Sequence, residues 1–436
     1  MKDFDKSLIY KLRVMLAYHD ALRNYFKPVS QCYFKKFRQA QLASASRLKG
    51  KKHLEVAFFL TIPGMWKSDE VFKAMLEDSR YHPYVVIYPY SVYKEFDSKE
   101  VLSVLDRTKS FIEQKGYEYV IPYDERKKRW LNIEKVRTPD IVFFSTPYKD
   151  SLPKYYVKSF RDTLTCYVPY GFSSLKLYKT NYDMIFHNLV GIHFVETELH
   201  RKMATENSRN RGANIVVTGY PATEVFLRQD YVPENQWKVH LQPKKKVIYA
   251  PHHSIDKADY PSVFLETCEE MLQMAEKYAD SVQFVFKPHQ LLKFKLQQIW
   301  GIEKTEAYYQ RWDSMENAQL VSDGYVDLFL TSDAMIHDCG SFTTEYLFLK
   351  KPVMYLCRNT DMTDKFNEFG QKSFECHYHG CSAQQVERFL KEVVIEGNDP
   401  MLEKREHFYD EYLKPKDDVL PSRKILEVIE KTIECS

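Results

Sequence analysis

The chain has 436 residues, with 63 Lys+Arg against 60 Asp+Glu, 44% hydrophobic and 28% charged residues. At about 150 residues per domain this length supports two or three domains with a sizeable core. The balance excludes disordered, collagenous and disulfide-scaffold classes. A net charge of +3 leaves no whole-chain footprint for nucleic acid. No apolar run approaches the ~20 residues that span a bilayer; the best candidate, VAFFLTIPGMW, is short and carries a proline. The N-terminus alternates charged and apolar residues and lacks the continuous core of a signal peptide. Eight cysteines are scattered through the chain, which fits a reducing compartment and a cytoplasmic location.

Residues 1–52 carry 13 basic and three acidic side chains, a net +10. Phe4, Leu8, Leu12, Met15, Leu16, Leu22 and Phe26 recur at helical spacing, and Pro28 ends that helix. A second aromatic-basic stretch, CYFKKFRQAQLASASRLK, follows. Anionic leaflets attract such segments by about 1 kcal/mol per basic residue. The expectation is peripheral attachment to the inner face of the cell membrane; the alternative is a helical arm packed on the body.

From Leu54 the texture changes to short apolar runs between helical patterns. EVAFFLTI reads as a buried strand, and Ser68 caps a helix through DEVFKAMLEDSR. YVVIYP follows as a strand, and VLSVLDRTKSFIEQKG as a helix ending at Gly116. DIVFFS, TCYVP, IHFVE and NIVVTG continue the series. A second series after QPKKK runs KVIYAP, a helix through FLETCEEMLQMAEKYA, VQFVFKP, VDLFLTS, AMIHD, a helix through FTTEYLFLK, and PVMYL. Near-continuous apolar strands alternating with helices predict α/β architecture: two Rossmann-like doubly wound domains facing a cleft. The predicted boundaries are a basic arm at 1–52, domains at 53–235 and 236–415, and a C-terminal helix at 416–436.

Ligands of such sheets bind at the carboxyl ends of the strands. Three predicted strand ends there carry histidine: His252 and His253 after KVIYAP, His289 after VQFVFKP, and His337 within AMIHD. Imidazoles exchange protons near neutral pH and, when charged, pair with phosphate. The turn Asp338-Cys339-Gly340-Ser341 leads into a helix whose first turn holds Thr343 and Thr344. Unpaired N–H groups, hydroxyls and a glycine there suit a diphosphate. Cys376, His377, His379 and Cys381 crowd within six positions on an extended segment, a spacing that sends them to opposite faces, so no metal site is predicted. GxGxxG, P-loop, GxSxG and HExxH motifs are absent.

The segment from Asp338 to Lys351-Pro352 resembles the TDYSSxxxDxxxxxKP pattern of the CDP-glycerol glycerophosphotransferases, the teichoic-acid and capsule-type polymerases and primases of glycosyltransferase-B fold. Pro288-His289 resembles that family's HP motif, Tyr249-Ala250-Pro251 its YAP motif, and Thr218-Gly219-Tyr220-Pro221 its TGxP motif. Three departures stand out: HHS follows YAP in place of TWR, Ala222 stands where an arginine is usual, and Tyr170 precedes Gly171 where the family has an HG histidine.

The resemblance implies transfer of a glycerol-phosphate or similar polyol-phosphate unit from a CDP-activated donor to a hydroxyl of a glycan or lipid-linked acceptor, with CMP leaving. On this reading His289, His252 and His253 serve the transferred phosphoryl group. Ser341, Thr343, Thr344, Gly340 and Asp338 hold the diphosphate, and Glu345 accepts from ribose hydroxyls. No metal and no cofactor are expected; the partners are the donor, the acceptor and an anionic membrane surface. Two alternatives remain open. One is a nucleotide-sugar glycosyltransferase or epimerase of the same fold, and the other a membrane-associated scaffold without catalysis.

Overall fold

The computed structural model describes residues 27–90, 99–255, 262–322, 324–359, 361 and 364–435. The apolar periodicity read over residues 4–26 lies outside these residues. The chain divides into two compact units, one of 27–170, 178–218 and 422–435, the other of 171–177 and 219–421. The division falls at Thr218–Gly219, earlier than the expected 235/236, and the last helix goes with the first unit. Residues 219–237 join the second unit because their aromatic side chains pack there. Phe226 stacks on Phe329 with ring centroids 6.0 Å apart, and Trp237 Nε1 donates to Thr331 Oγ1.

The first unit opens with helix α1 (Lys27–Ser46) and then β1 (Leu54–Leu60), α2 (Asp69–Leu76), β2 (Tyr81–Ile87), α3 (Lys99–Gln114) and β3 (Tyr119–Val120). A small antiparallel pair, β4 (Tyr123–Asp124) and β5 (Arg129–Trp130), precedes β6 (Ile141–Phe144) and β7 (Leu164–Tyr167). Helices α4 (Tyr178–Tyr182) and α5 (Ile185–Leu189), β8 (Ile192–Val195), α6 (Glu198–Asn207) and β9 (Ile215–Val217) complete the series. Seven strands form one sheet in the order β3-β2-β1-β6-β7-β8-β9, and every pairing is parallel. The register explains the aromatic-rich strands: Phe58 lies opposite Phe143, and their rings stack at 4.6 Å. Ser68 precedes α2 as expected, but its side chain makes no capping hydrogen bond.

Helix α1 is described from Lys27 to Ser46. Phe34, Phe37, Ala45 and Leu48 are buried. Gln41, 1% exposed, fastens the helix to the amino end of β7. Its Nε2 donates to Phe160 O and Arg161 O, and its Oε1 accepts from Thr165 N and Thr165 Oγ1. Over 27–46, then, the helix packs on the body of the first unit through these side chains. No helix among the described residues is long and apolar enough to cross a membrane.

The second unit contains β10 (Lys245–Ala250), α7 (Phe264–Lys277), β11 (Val282–Phe286), α8 (Leu292–Trp300), α9 (Ile302–Ser314), β12 (Ala318–Leu320), α10 (Val326–Thr331) and β13 (Ala334–His337). It continues with α11 (Phe342–Glu345), β14 (Val353–Leu356), α12 (Glu368–Phe374), β15 (Tyr378–Gly380), α13 (Ala383–Arg388) and α14 (Leu402–Phe408). Helix α15 (Pro421–Cys435) closes the chain. Six parallel strands run β12-β11-β10-β13-β14-β15. VDLFLTS, expected as a strand, is helix α10, and the strand in this region is Ala318–Leu320 instead. Leu328 and Phe329 are its buried residues, adjacent positions that a half-buried strand would split between faces. Lys351 of the KP motif reaches this helix, donating from Nζ to Phe329 O and Leu330 O, carbonyls at the helix end that have no i+4 N–H to accept from.

Gln41→Ala would leave the buried Thr165 N–H without its Gln41 acceptor, at a cost of about 1–3 kcal/mol. Urea unfolding measures it. A change below ~0.5 kcal/mol would show that α1 is not held through this amide.

Candidate functional site

Strands β10 and β11 are neighbours, and their ladder continues past their ends: Lys287 N donates to Tyr249 O, and His289 N to Pro251 O. That extension brings three expected site residues together. The ring centroids lie 4.3 Å apart for His252–His253, 5.0 Å for His252–His289 and 4.1 Å for His253–His289. The fourth histidine, His337, does not join them. It is fully buried as the last residue of β13, and its ring packs against Tyr355 and His377.

The protons on this cluster can be placed. Leu291 N–H donates to His289 Nδ1, so the proton of the neutral ring sits on Nε2. Burial pulls the His289 pKa down to about 3, helped by His253, Lys295 and Lys287. The ring is therefore neutral at pH 7 and offers an Nε2–H donor in a setting that already holds two lysines. That arrangement suits an oxyanion, and a bound anion would in turn favour the protonated ring. Lys287 was not singled out in the sequence, although it adjoins the PH pair; it is 8% exposed and donates to Ser322 O.

Asp338 plays a different part from the one expected. It is 1% exposed, and its carboxylate oxygens accept from His252 N and Val263 N. It thus ties the end of β13 to the His252–His253 turn and to the start of α7. It is a positioning residue, buried beneath the histidines.

The turn that follows is also rearranged. Helix α11 is only four residues long and gives way to a 3-10 turn at Tyr346–Leu349, so it contributes little dipole. Gly340 and Ser341 are half-buried at its start. Thr343 and Thr344, expected to hold diphosphate, are fully buried, with hydroxyls committed elsewhere. Thr343 Oγ1 donates to Cys339 O, and Thr344 Oγ1 lies 3.1 Å from both Ser174 Oγ and Ser373 Oγ. The partner segment 171–177, which begins at the Gly171 of the HG position, is held to this unit by those hydroxyls and by Asn367 N donating to Ser174 O. Glu345 is 2% exposed, and its Oε2 has no hydrogen-bond partner among the described residues. It interacts with the Tyr325 hydroxyl instead of facing the surface.

Among the described residues the three strand-end histidines are the only group of metal-ligating side chains that converge, with one ligand atom each inside 4.8 Å. Tetrahedral zinc, with bonds of about 2.0–2.1 Å, needs its ligand atoms about 3.4 Å apart. His289 would also have to give up the Leu291 N–H bond or its own proton, so the arrangement favours an anion. Cys376, His377, His379 and Cys381 do not converge. Cys376 Sγ donates to Lys372 O, His377 Nδ1 to Ser373 O, the His379 ring stacks on Phe374, and Cys381 Sγ lies 3.0 Å from Cys357 Sγ. In the first unit, Tyr170 is 37% exposed, with its hydroxyl 3.0 Å from that of Tyr148.

Burial raises the Asp338 carboxyl to about 6, above its unfolded value. Between about pH 4 and 6 the folded state keeps a proton that the unfolded state has released. This contribution to stability is therefore present below that window and lost as pH rises through it. Asp338→Asn removes the titration, so the variant should gain on wild type by up to about 3 kcal/mol across the window. Urea unfolding at several pH values measures it; a gap independent of pH would show that the carboxyl is not desolvated.

The fold is shared with solved structures. The wall teichoic acid polymerase TagF aligns over 95% of this chain and 97% of its own, at a TM-score of 0.56 and 13% identity. A TagF variant soaked with CDPG aligns over 95% and 98%, with TM-score 0.53 and 13% identity. The UDP-GlcNAc 2-epimerase of Neisseria meningitidis, bound to UDP-GlcNAc, aligns over 86% of this chain and 99% of its own, with TM-score 0.54 and 14% identity. These likenesses give a two-domain, glycosyltransferase-B-like α/β architecture. No curated protein matches the sequence. The family model described as CDP-Glycerol:Poly(glycerophosphate) glycerophosphotransferase matches residues 177–431, which take in the whole strand-end cluster. With more than half of its length matched, the chain belongs to that family of enzymes.

Proposed function

We propose that this enzyme transfers a glycerol-phosphate or similar polyol-phosphate unit from a CDP-activated donor to a hydroxyl of a glycan or lipid-linked acceptor, in the synthesis of a cell-surface polymer. The observation that carries this reading is the triad of imidazoles at the carboxyl ends of β10 and β11, with the His289 Nε2–H donor beside Lys287 and Lys295. The acceptor oxygen forms a bond to the transferred phosphorus, and the donor's P–O–P bond breaks to release CMP. His289 donates to a phosphoryl oxygen and neutralises charge as the leaving group departs; His252 and His253 flank it. Ser341 supplies the hydroxyl at the diphosphate. With Tyr170 in the HG position, the acceptor's proton passes to a group other than an imidazole at that place.

Incubation with CDP-glycerol and an acceptor should release CMP. His289→Ala should lower turnover about 10²–10⁴-fold with unchanged thermal stability; full turnover in the folded variant would remove His289 from the site. Ser341→Ala should weaken CDP binding by about 1.5–3 kcal/mol, the worth of a hydrogen bond to a charged group. Equal affinity would move the diphosphate elsewhere.

A second reading, nucleotide-sugar chemistry, is favoured by the likeness to UDP-GlcNAc 2-epimerases. Release of UDP or CDP from a nucleotide sugar, or epimerised sugar without CMP, would support it. For attachment to a membrane surface the basic residues of 1–26 are the first candidates, since the apolar side chains of α1 are committed to the core. Removing 1–26 should weaken sedimentation with anionic vesicles at least tenfold and spare activity on a soluble acceptor. Persisting sedimentation would place attachment elsewhere.

A further inference from the structure

A second cationic recess lies in the first unit, at the amino ends of its strands. It occupies about 240 Å³ between α1 and the loops that lead into β8 and β9, and Lys35, Arg38, Arg209 and Arg211 stand in its wall. No carboxylate lines it among the described residues. One of the four is already neutralised: Arg209 Nε pairs with Asp183 Oδ1 at 3.0 Å, and its Nη2 donates to Asp183 O. The others are not. Arg38 is half-buried, yet its one hydrogen bond is a long 3.3 Å contact from Nη1 to Gly191 O, and it makes no ion pair among the described residues. Burial without an acid pulls its pKa down, and a guanidinium stays charged nonetheless. Lys35 and Arg211 are exposed at the rim and likewise make no ion pair there.

A desolvated cation without a counter-charge is costly. The wall around it is rigid. Asn188 and Asn214 bond to Asp183 and to the backbone of His187 and Val190, and Arg211 sits at φ +53°, a conformation few non-glycine residues adopt. A smaller recess of about 70 Å³ adjoins it, sharing Arg38 and lined by Leu42, Leu164, Ile192 and Val216. Cations over one half and aliphatic side chains over the other match a phosphate that carries an apolar substituent.

We propose that this recess binds a phosphate group, held by Arg38, Arg211 and Lys35, independently of the strand-end site of the second unit. Guanidinium forks suit phosphate oxygens, and the location at amino strand ends sets it apart from the edge where such sheets take their substrates. The same chemistry is offered by soluble phosphate and by the headgroup of an anionic phospholipid.

The test is titration of the full chain with inorganic phosphate and, separately, with monomeric short-chain phosphatidylglycerol. Wild type is compared with Lys35→Gln/Arg38→Gln/Arg211→Gln and with Ala213→Asp, which adds a carboxylate at the exposed rim and leaves the arginines intact; Ala213→Asn is the control. Both charge-altering forms should bind at least tenfold more weakly, the control as wild type. Loss for both ligands with tighter wild-type binding of the lipid identifies a headgroup; loss with equal or tighter binding of inorganic phosphate identifies a soluble phosphate. If both variants bind both ligands as wild type does, the proposal is wrong. CMP release, which depends on the other site, should persist in Ala213→Asp.

Discussion

The carboxylate of Asp338 is almost wholly buried at the end of β13, accepting the backbone N–H groups of His252 and Val263. Three elements meet there: the central strand of the second sheet, the turn after β10 and the start of α7. Placing a carboxylate in that interior is unfavourable, which is why burial raises its pKa, and two backbone donors offset part of the cost. What the arrangement secures is a fixed path for the His252–His253 turn against His289, whose own backbone is paired to Pro251. Catalytic groups that must meet a phosphoryl centre need such positioning more than they need any one contact.

The imidazole cluster works in a regime set by its surroundings. With His289 held neutral and its proton directed to Nε2, the site can donate without first being charged. Lysines nearby supply fixed positive charge, so under the proposed function a diphosphate would meet donors already oriented and pay little reorganisation. The same logic separates this site from a metal centre: a ring whose Nδ1 already accepts a backbone hydrogen bond has no spare lone pair for a cation.

Much of this was legible in the sequence because parallel strands buried on both faces are near-continuous apolar runs. EVAFFLTI, KVIYAP and AMIHD correspond to strands β1, β10 and β13, and chain order at strand ends was enough to foresee His252, His253 and His289 as neighbours. VDLFLTS misled because a short apolar run has no periodicity long enough to tell strand from helix. The hydroxyls of Thr343 and Thr344 misled for another reason: a threonine after a strand can serve a ligand or its own packing, and only the partner segment 171–177, distant in sequence, decides. His337 likewise reads as a strand-end group until the pairing of β13 with β14 buries it beside Tyr355. The arm divided in the same way, since the buried amide of Gln41 carries no sequence signature.

We propose that the strand-end histidines and Ser341 face the diphosphate of a cytidine donor. A crystal structure with CDP bound tests it most directly. The account predicts diphosphate oxygens within hydrogen-bond distance of His289 Nε2 and the Ser341 hydroxyl, with the Asp338 clamp intact beneath them. Density for the nucleotide away from the ends of β10, β11 and β13, or a metal ion seated among the three imidazoles, would contradict it.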